Sequence, residues 1–208
     1  MENMLKTEKQ SKADLVSTSL EAAVGYNEYR ILVAEHVVNK TSTGPSQSEA
    51  LTNYTTLSHA RMKRLDKTVK ISEEVQEKFR NFNGNQTWVV LTESWCGDAA
   101  QSMPTMNKLV DLAPNIDFKV VLRDENLELM NAFLTNGSMS IPKLIVLDND
   151  SQEVVADWGP RPSTATRMVN DYKAEHGPLT PEFKKDLQVW YNKDKSENII
   201  EDLAKLID

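Results

Sequence analysis

Apolar positions along the first part of the chain recur at helical spacing. Leu20, Val24, Tyr26, Ile31, Leu32, Val33 and Val37 trace one such run, opened by Thr18-Ser19-Leu20-Glu21, which has the form of a capping box. Thr41-Ser42-Thr43-Gly44-Pro45 breaks it. A second helix is predicted from Ser48 to Val69, with Tyr54, Leu57, Met62, Leu65 and Val69 on one side. A short third helix runs from Ser72 to about Asn81, followed by a turn at Asn83-Gly84-Asn85. The texture then changes. Thr87 to Thr92 is short, apolar and β-branched, as in a buried strand. Asp98 to Leu112 reads as helix, Ile116 to Leu122 as strand, and Asp124 to about Leu134 as a helix capped by Asp124 and closed by Asn136-Gly137. Pro142 introduces a strand over 143–147, and the Asp148–Ser151 turn joins it to a strand over 153–158 in a hairpin. Ser163 caps a helix through Lys173, and Thr180-Pro181-Glu182 starts the last, with Phe183, Leu187 and Trp190 on one face.

The order strand, helix, strand, helix, strand, strand, helix implies an α/β fold: a mixed central sheet of about four strands flanked by helices. The expected organisation is a disordered tail over 1–16, a helical extension packed on the core over 17–82, the α/β domain over 83–176 and a C-terminal helix over 177–208.

Charge and cysteine usage narrow the chemistry. The chain has 208 residues and a net charge of −7, so no global field draws in nucleic acid. The first twenty residues contain no apolar block, and no apolar run is long enough to span a bilayer. The expectation is a cytoplasmic protein with neither nucleic-acid nor membrane partners. Cys96 is the single cysteine, so no internal disulfide can form, and His36, His59 and His176 show no metal-ligand spacing. No Gly-rich phosphate loop is present, and no cofactor or metal is expected.

Four features, in order, carry a resemblance. Glu93-Ser94-Trp95-Cys96-Gly97 closes the first long strand, and Pro104 follows eight residues after Cys96. Ser140-Ile141-Pro142 precedes the hairpin, and Gly159 closes its second strand. Over about Thr87 to Glu175 the chain resembles the thioredoxin family, with its Trp-Cys-Gly loop, kinked active-site helix and cis-proline loop. The layout of helices followed by a Trp-Cys-Gly-Asp-Ala loop is similar to that of bacterial thioredoxin-like proteins. The resemblance implies the thioredoxin fold and a cis bond before Pro142. It also marks two departures: Ala99 stands where the family has its second cysteine, and Val90 where it often has a buried acid.

At a strand-to-helix junction, Cys96 meets unpaired amides that favour a thiolate, and a modestly lowered pKa is expected, opposed by Asp98. Asp98 either exchanges protons during catalysis or favours the helix start electrostatically. Trp95, Gly97, Ile141 and Pro142 are the candidate substrate surface, on which Ile141 could pair with an extended peptide. Trp95 could equally pack on the sheet edge. Lys63, Lys67 and Lys70 form a solvated face. Arg61 sits on the apolar side, either snorkelling or acting as a thiolate partner near Cys96. The leading reading is a single-cysteine thiol-disulfide oxidoreductase, in which Cys96 forms mixed disulfides with a protein or low-molecular-weight thiol and an external thiol resolves them. The runner-up is a non-catalytic module that binds a peptide or protein. Either could act as a monomer or a homodimer.

Overall fold

The computed structural model describes residues 10–208. Nine α-helices and five strands occur among them, the strands in the order β1-β3-β2-β4-β5. Helix α1 (Lys12–Leu20) starts at Ser11, whose Oγ accepts the Asp14 amide at 3.1 Å while the Asp14 carboxylate accepts the Ser11 amide at 3.0 Å. The capping box therefore lies at Ser11–Asp14, and Thr18 and Ser19 fall in the last turn of α1. This corrects the expected disorder of residues 11–16; residues 1–9 lie outside the described range.

The segment before the domain is not purely helical. After α1 the chain extends into β1 (Val24–Gly25), which pairs antiparallel with β3 (Ile116–Leu122) through Val24 and Val120. Two residues are too few to show alternation, so no sequence pattern marks this edge strand. Helix α2 (Tyr26–Asn39) then buries Tyr26, Tyr29 and Val33 and leaves Ile31 exposed.

Helix α3 (Glu49–Thr68) is continuous and capped by Ser48. Its buried face is Thr55, Ser58, Met62, Leu65 and the following Val69, so Tyr54 and Leu57 turn outward. The inward turn of small hydroxyl residues has a cause: Thr55 Oγ1 bonds Ser94 Oγ at 2.9 Å behind the Cys96 loop. Helix α4 (Glu73–Arg80) plants Phe79 edge-on against Trp88, ring centroids 6.2 Å apart.

Strand β2 (Gln86–Thr92) is buried from end to end. It runs parallel to β3 and antiparallel to β4 (Lys143–Asp148), and β4 forms a hairpin with β5 (Glu153–Trp158). Helix α5 (Gly97–Val110), with Pro104 inside it, follows β2 and packs against α3, α4 and β3. Asp124 does not cap a helix. It lies in a 3-10 turn over Arg123–Glu125, before the short α6 (Leu127–Ala132) that packs with α1. Pro162, not Ser163, precedes α7 (Ser163–His176).

The C-terminal segment is two helices. The first, α8 (Pro181–Asp194), is capped by Thr180 and ends at Lys195 in the left-handed region; α9 (Glu197–Ala204) and a final 3-10 turn follow. On α8 the side chains that turn in are Leu187 and Tyr191, and Trp190 is only half-buried. Among the described residues no helix is long and apolar enough to cross a membrane.

Candidate functional site

The site is built where β2 ends and α5 begins. Cys96 is the residue that caps α5, and its Sγ accepts the Ala99 amide at 3.4 Å. The thiol in turn donates to the carbonyl of Ile141, 3.3 Å away, and the Ile141–Pro142 bond is cis. Gly159 backs this loop from the end of β5. Its φ is +118°, and any Cβ would come within 2.2 Å of the Pro142 carbonyl, so only glycine fits.

Asp98 sits in the first turn of α5 with its side chain 13% exposed. Its carboxylate accepts from Arg161 at 2.7 Å and from the Tyr191 hydroxyl at 3.1 Å. Three segments distant in sequence therefore meet at one carboxylate: α5, the loop after β5 and α8. Arg61 reaches in from α3 and donates from Nη1 to the Gly97 carbonyl at 3.1 Å. Trp95 is half-buried, with the Arg123 guanidinium over its ring at 5.0 Å. These residues open onto a cavity of about 580 Å³, walled by Tyr54, Leu57 and Arg61 of α3 on one side and by Leu179, Lys184 and Lys185 on another. Trp95, Cys96, Gly97, Asp98 and Ile141 all line it, and Pro142 does not.

The electrostatics overturn one expectation. Burial pushes the Cys96 thiol up to about 12, and the Asp98 carboxylate adds to the rise; the Ala99 and Asp98 amides and Arg161 oppose it without prevailing. The helix terminus was expected to lower the pKa. A thiol only 7% exposed loses more in hydration than two amides return. Burial also raises Asp98, against Arg161, Tyr191 and Arg61, and lowers Arg61.

A polar cluster lies behind the loop. Glu93 is buried and accepts from Thr43 Oγ1 and, at 2.9 Å, from the Asp124 amide. Ser94 Oγ accepts the Thr43 amide at 3.0 Å. Burial raises the Glu93 carboxyl, and these hydrogen bonds oppose the rise. The buried acid near the loop is thus Glu93, while Val90 is part of the apolar core of β2.

The sequence model described as thioredoxin matches residues 44–173. The chain belongs to the thioredoxin family. The matched span begins within the segment ahead of β2, so α3 and α4 fall inside the family unit. Two solved structures share the fold of this thioredoxin-family chain. One is a protein of unknown function from Pseudomonas aeruginosa, 16% identical, with a TM-score of 0.57 over 73% of this chain and 84% of that one. The other is an HIV epitope-scaffold, also 16% identical with a TM-score of 0.57, over 88% of this chain and 98% of that one. No curated protein matches.

Within this thioredoxin-family site, the structure brings Cys96, Asp98, Trp95, Gly97, Ile141 and Arg61 together around one cavity. Arg161 and Tyr191 were not anticipated. Gly159-Pro160-Arg161-Pro162, with a second cis bond at Pro160, is a conspicuous run in the sequence, but nothing in it names Asp98 as its partner. Tyr191 is adjacent to the tryptophan that the helical face pointed to instead.

Proposed function

We propose that this protein exchanges thiols and disulfides through Cys96 alone. The observation that carries the reading is the placement of Cys96 Sγ at the floor of a cavity, between the first amides of α5 and the carbonyl that precedes a cis proline. The thiolate of Cys96 attacks one sulfur of a disulfide R–S–S–R′. A Cys96–S–S–R bond forms as the R–S–S–R′ bond breaks, and R′S⁻ leaves and takes up the proton Cys96 gave to solvent. An external thiol RSH then attacks the adduct, regenerating Cys96 and releasing R–S–S–R. No second cysteine competes for that role, because Ala99 fills its place. Asp98 is a positioning residue here: it holds Arg161 and Tyr191, and its charge adds to the burial that keeps the resting thiol protonated.

A second reading, a binding module using the same cavity, is favoured by the raised pKa of Cys96. A thiolate of higher pKa is a stronger nucleophile but far less populated, so the balance slows attack at neutral pH. One experiment separates the two. Protein incubated with a disulfide should gain one adduct by intact mass, lose it on adding a monothiol, and turn over only while that monothiol is present. Cys96→Ser should gain none. Unmodified wild-type protein after prolonged incubation would leave the binding module as the better account.

A further inference from the structure

The cavity over Cys96 has a charge opposite to that of the whole chain. The protein carries −7 overall. Around the cavity, however, stand Arg61, Arg161, Lys184 and Lys185, against the single carboxylate of Asp98. The ion pairs among the described residues leave Lys184 and Lys185 out, and both are exposed. Arg161 gives one nitrogen to Asp98, and its Nε is buried without a partner. Arg61 gives Nη1 to a backbone carbonyl, which cancels none of its charge.

The walls add a limit on size. Cys96 is buried and shares its cavity with residues of α3 and the start of α8, where Tyr54 and Leu57, 53% and 57% exposed, offer apolar surface. A thiol only 7% exposed is harder to reach for a disulfide on the face of a folded protein than for a slim molecule. The cavity volume of about 580 Å³ lies in the roughly 300–1,000 Å³ range of small-ligand sites.

We infer that the partner of Cys96 is a low-molecular-weight thiol or disulfide carrying carboxylate groups, held by the cationic rim of Arg61, Arg161, Lys184 and Lys185. This rests on the exchange reading above and names its substrate class. In the two exchange steps already written, R is then the acidic small thiol. The rim orients R's carboxylates while its sulfur meets Sγ, and concentrates the anion at the cavity mouth.

A matched series of disulfides tests it: dithiodipropionate, a dianion; dihydroxyethyl disulfide, neutral; and cystamine, a dication. Adduct formation on the full chain is followed by intact mass, and each rate is divided by that disulfide's rate with a small model thiol. At low salt the normalised rate should fall from dianion to neutral to dication, about tenfold or more across the series. The spread should shrink as salt rises. Lys184→Gln combined with Lys185→Gln, both exposed and therefore tolerant of change, should cut the dianion-to-neutral ratio several-fold. Insulin, a folded protein disulfide, should give no adduct. Equal normalised rates, or a preference for cystamine, would overturn the anionic class while leaving the exchange reading intact. An insulin adduct would overturn the small-ligand limit. Failure of all three small disulfides would bring down the exchange reading together with this inference.

Discussion

At the scale of single residues, the site turns on how one buried thiol and one buried carboxylate share a small space. Burial and the charge of Asp98 both hold the proton on Cys96. The pH profile of iodoacetamide labelling should therefore have its midpoint above that of free cysteine, and Asp98→Asn should move it down by removing the negative neighbour. A midpoint that stays in place would mean that Asp98 is neutralised by Arg161 and has no hold on the thiol. Cys96, Asp98 and the cis-proline loop were legible because their spacing is local or matches a family pattern. Arg161 and Tyr191 were not. A salt bridge between residues in different elements leaves no periodic trace, and its partners are fixed only when the hairpin and α8 come to rest.

At the scale of elements, the helices read over 48–69 and 98–112 match α3 and α5 to within two residues, and larger errors lie where burial is partial or an element is very short. Strand β2 is buried along its whole length with an apolar centre from Trp88 to Leu91, and β3 alternates over Ile116 to Lys119 before an apolar end, so both stand out in composition. In α3 the stripe of larger apolar residues pointed to Tyr54 and Leu57 as core. Hydrogen bonding of Thr55 to Ser94 instead turns the hydroxyl face inward and leaves those two for the cavity wall. The helical run read from Thr18 joined the last turn of α1 to α2, because the intervening β1 is only two residues long. These N-terminal elements are part of the folded unit: β1 extends the sheet, and Tyr29 on α2 is fully buried. Tyr29→Ala should cost about 3–5 kcal/mol, the usual range for deleting a buried aromatic ring, read as a lower midpoint in urea unfolding. A loss under about 1 kcal/mol would show that the segment contributes little beyond covering the sheet edge.

At the scale of the whole molecule, the buried thiol makes stability depend on pH. In the unfolded chain Cys96 ionises near 9.0, and in the folded protein it holds its proton up to about 12. Because the folded pKa is the higher one, its contribution is complete below about 9 and is lost as pH rises towards 12. Between these values the unfolded state binds fewer protons, so stability falls by up to about 1.4 kcal/mol per pH unit. Subtracting the profile of Cys96→Ala removes the background from lysines and tyrosines, and the difference should slope downward over that window. A flat difference would mean that the thiol is far better hydrated than its 7% exposure implies. The methyl group of Ala99, buried at the first turn of α5, has a consequence for the kinetics of any adduct on Cys96. With a neighbouring thiol, release would be a unimolecular event timed by the protein. With a methyl group there, release waits on a collision, and its rate scales with the concentration of thiol outside. If Cys96 exchanges as proposed, the fraction of the protein carrying an adduct would follow the ratio of disulfide to thiol in its surroundings, making the chain a gauge of that pool and not a pump for it.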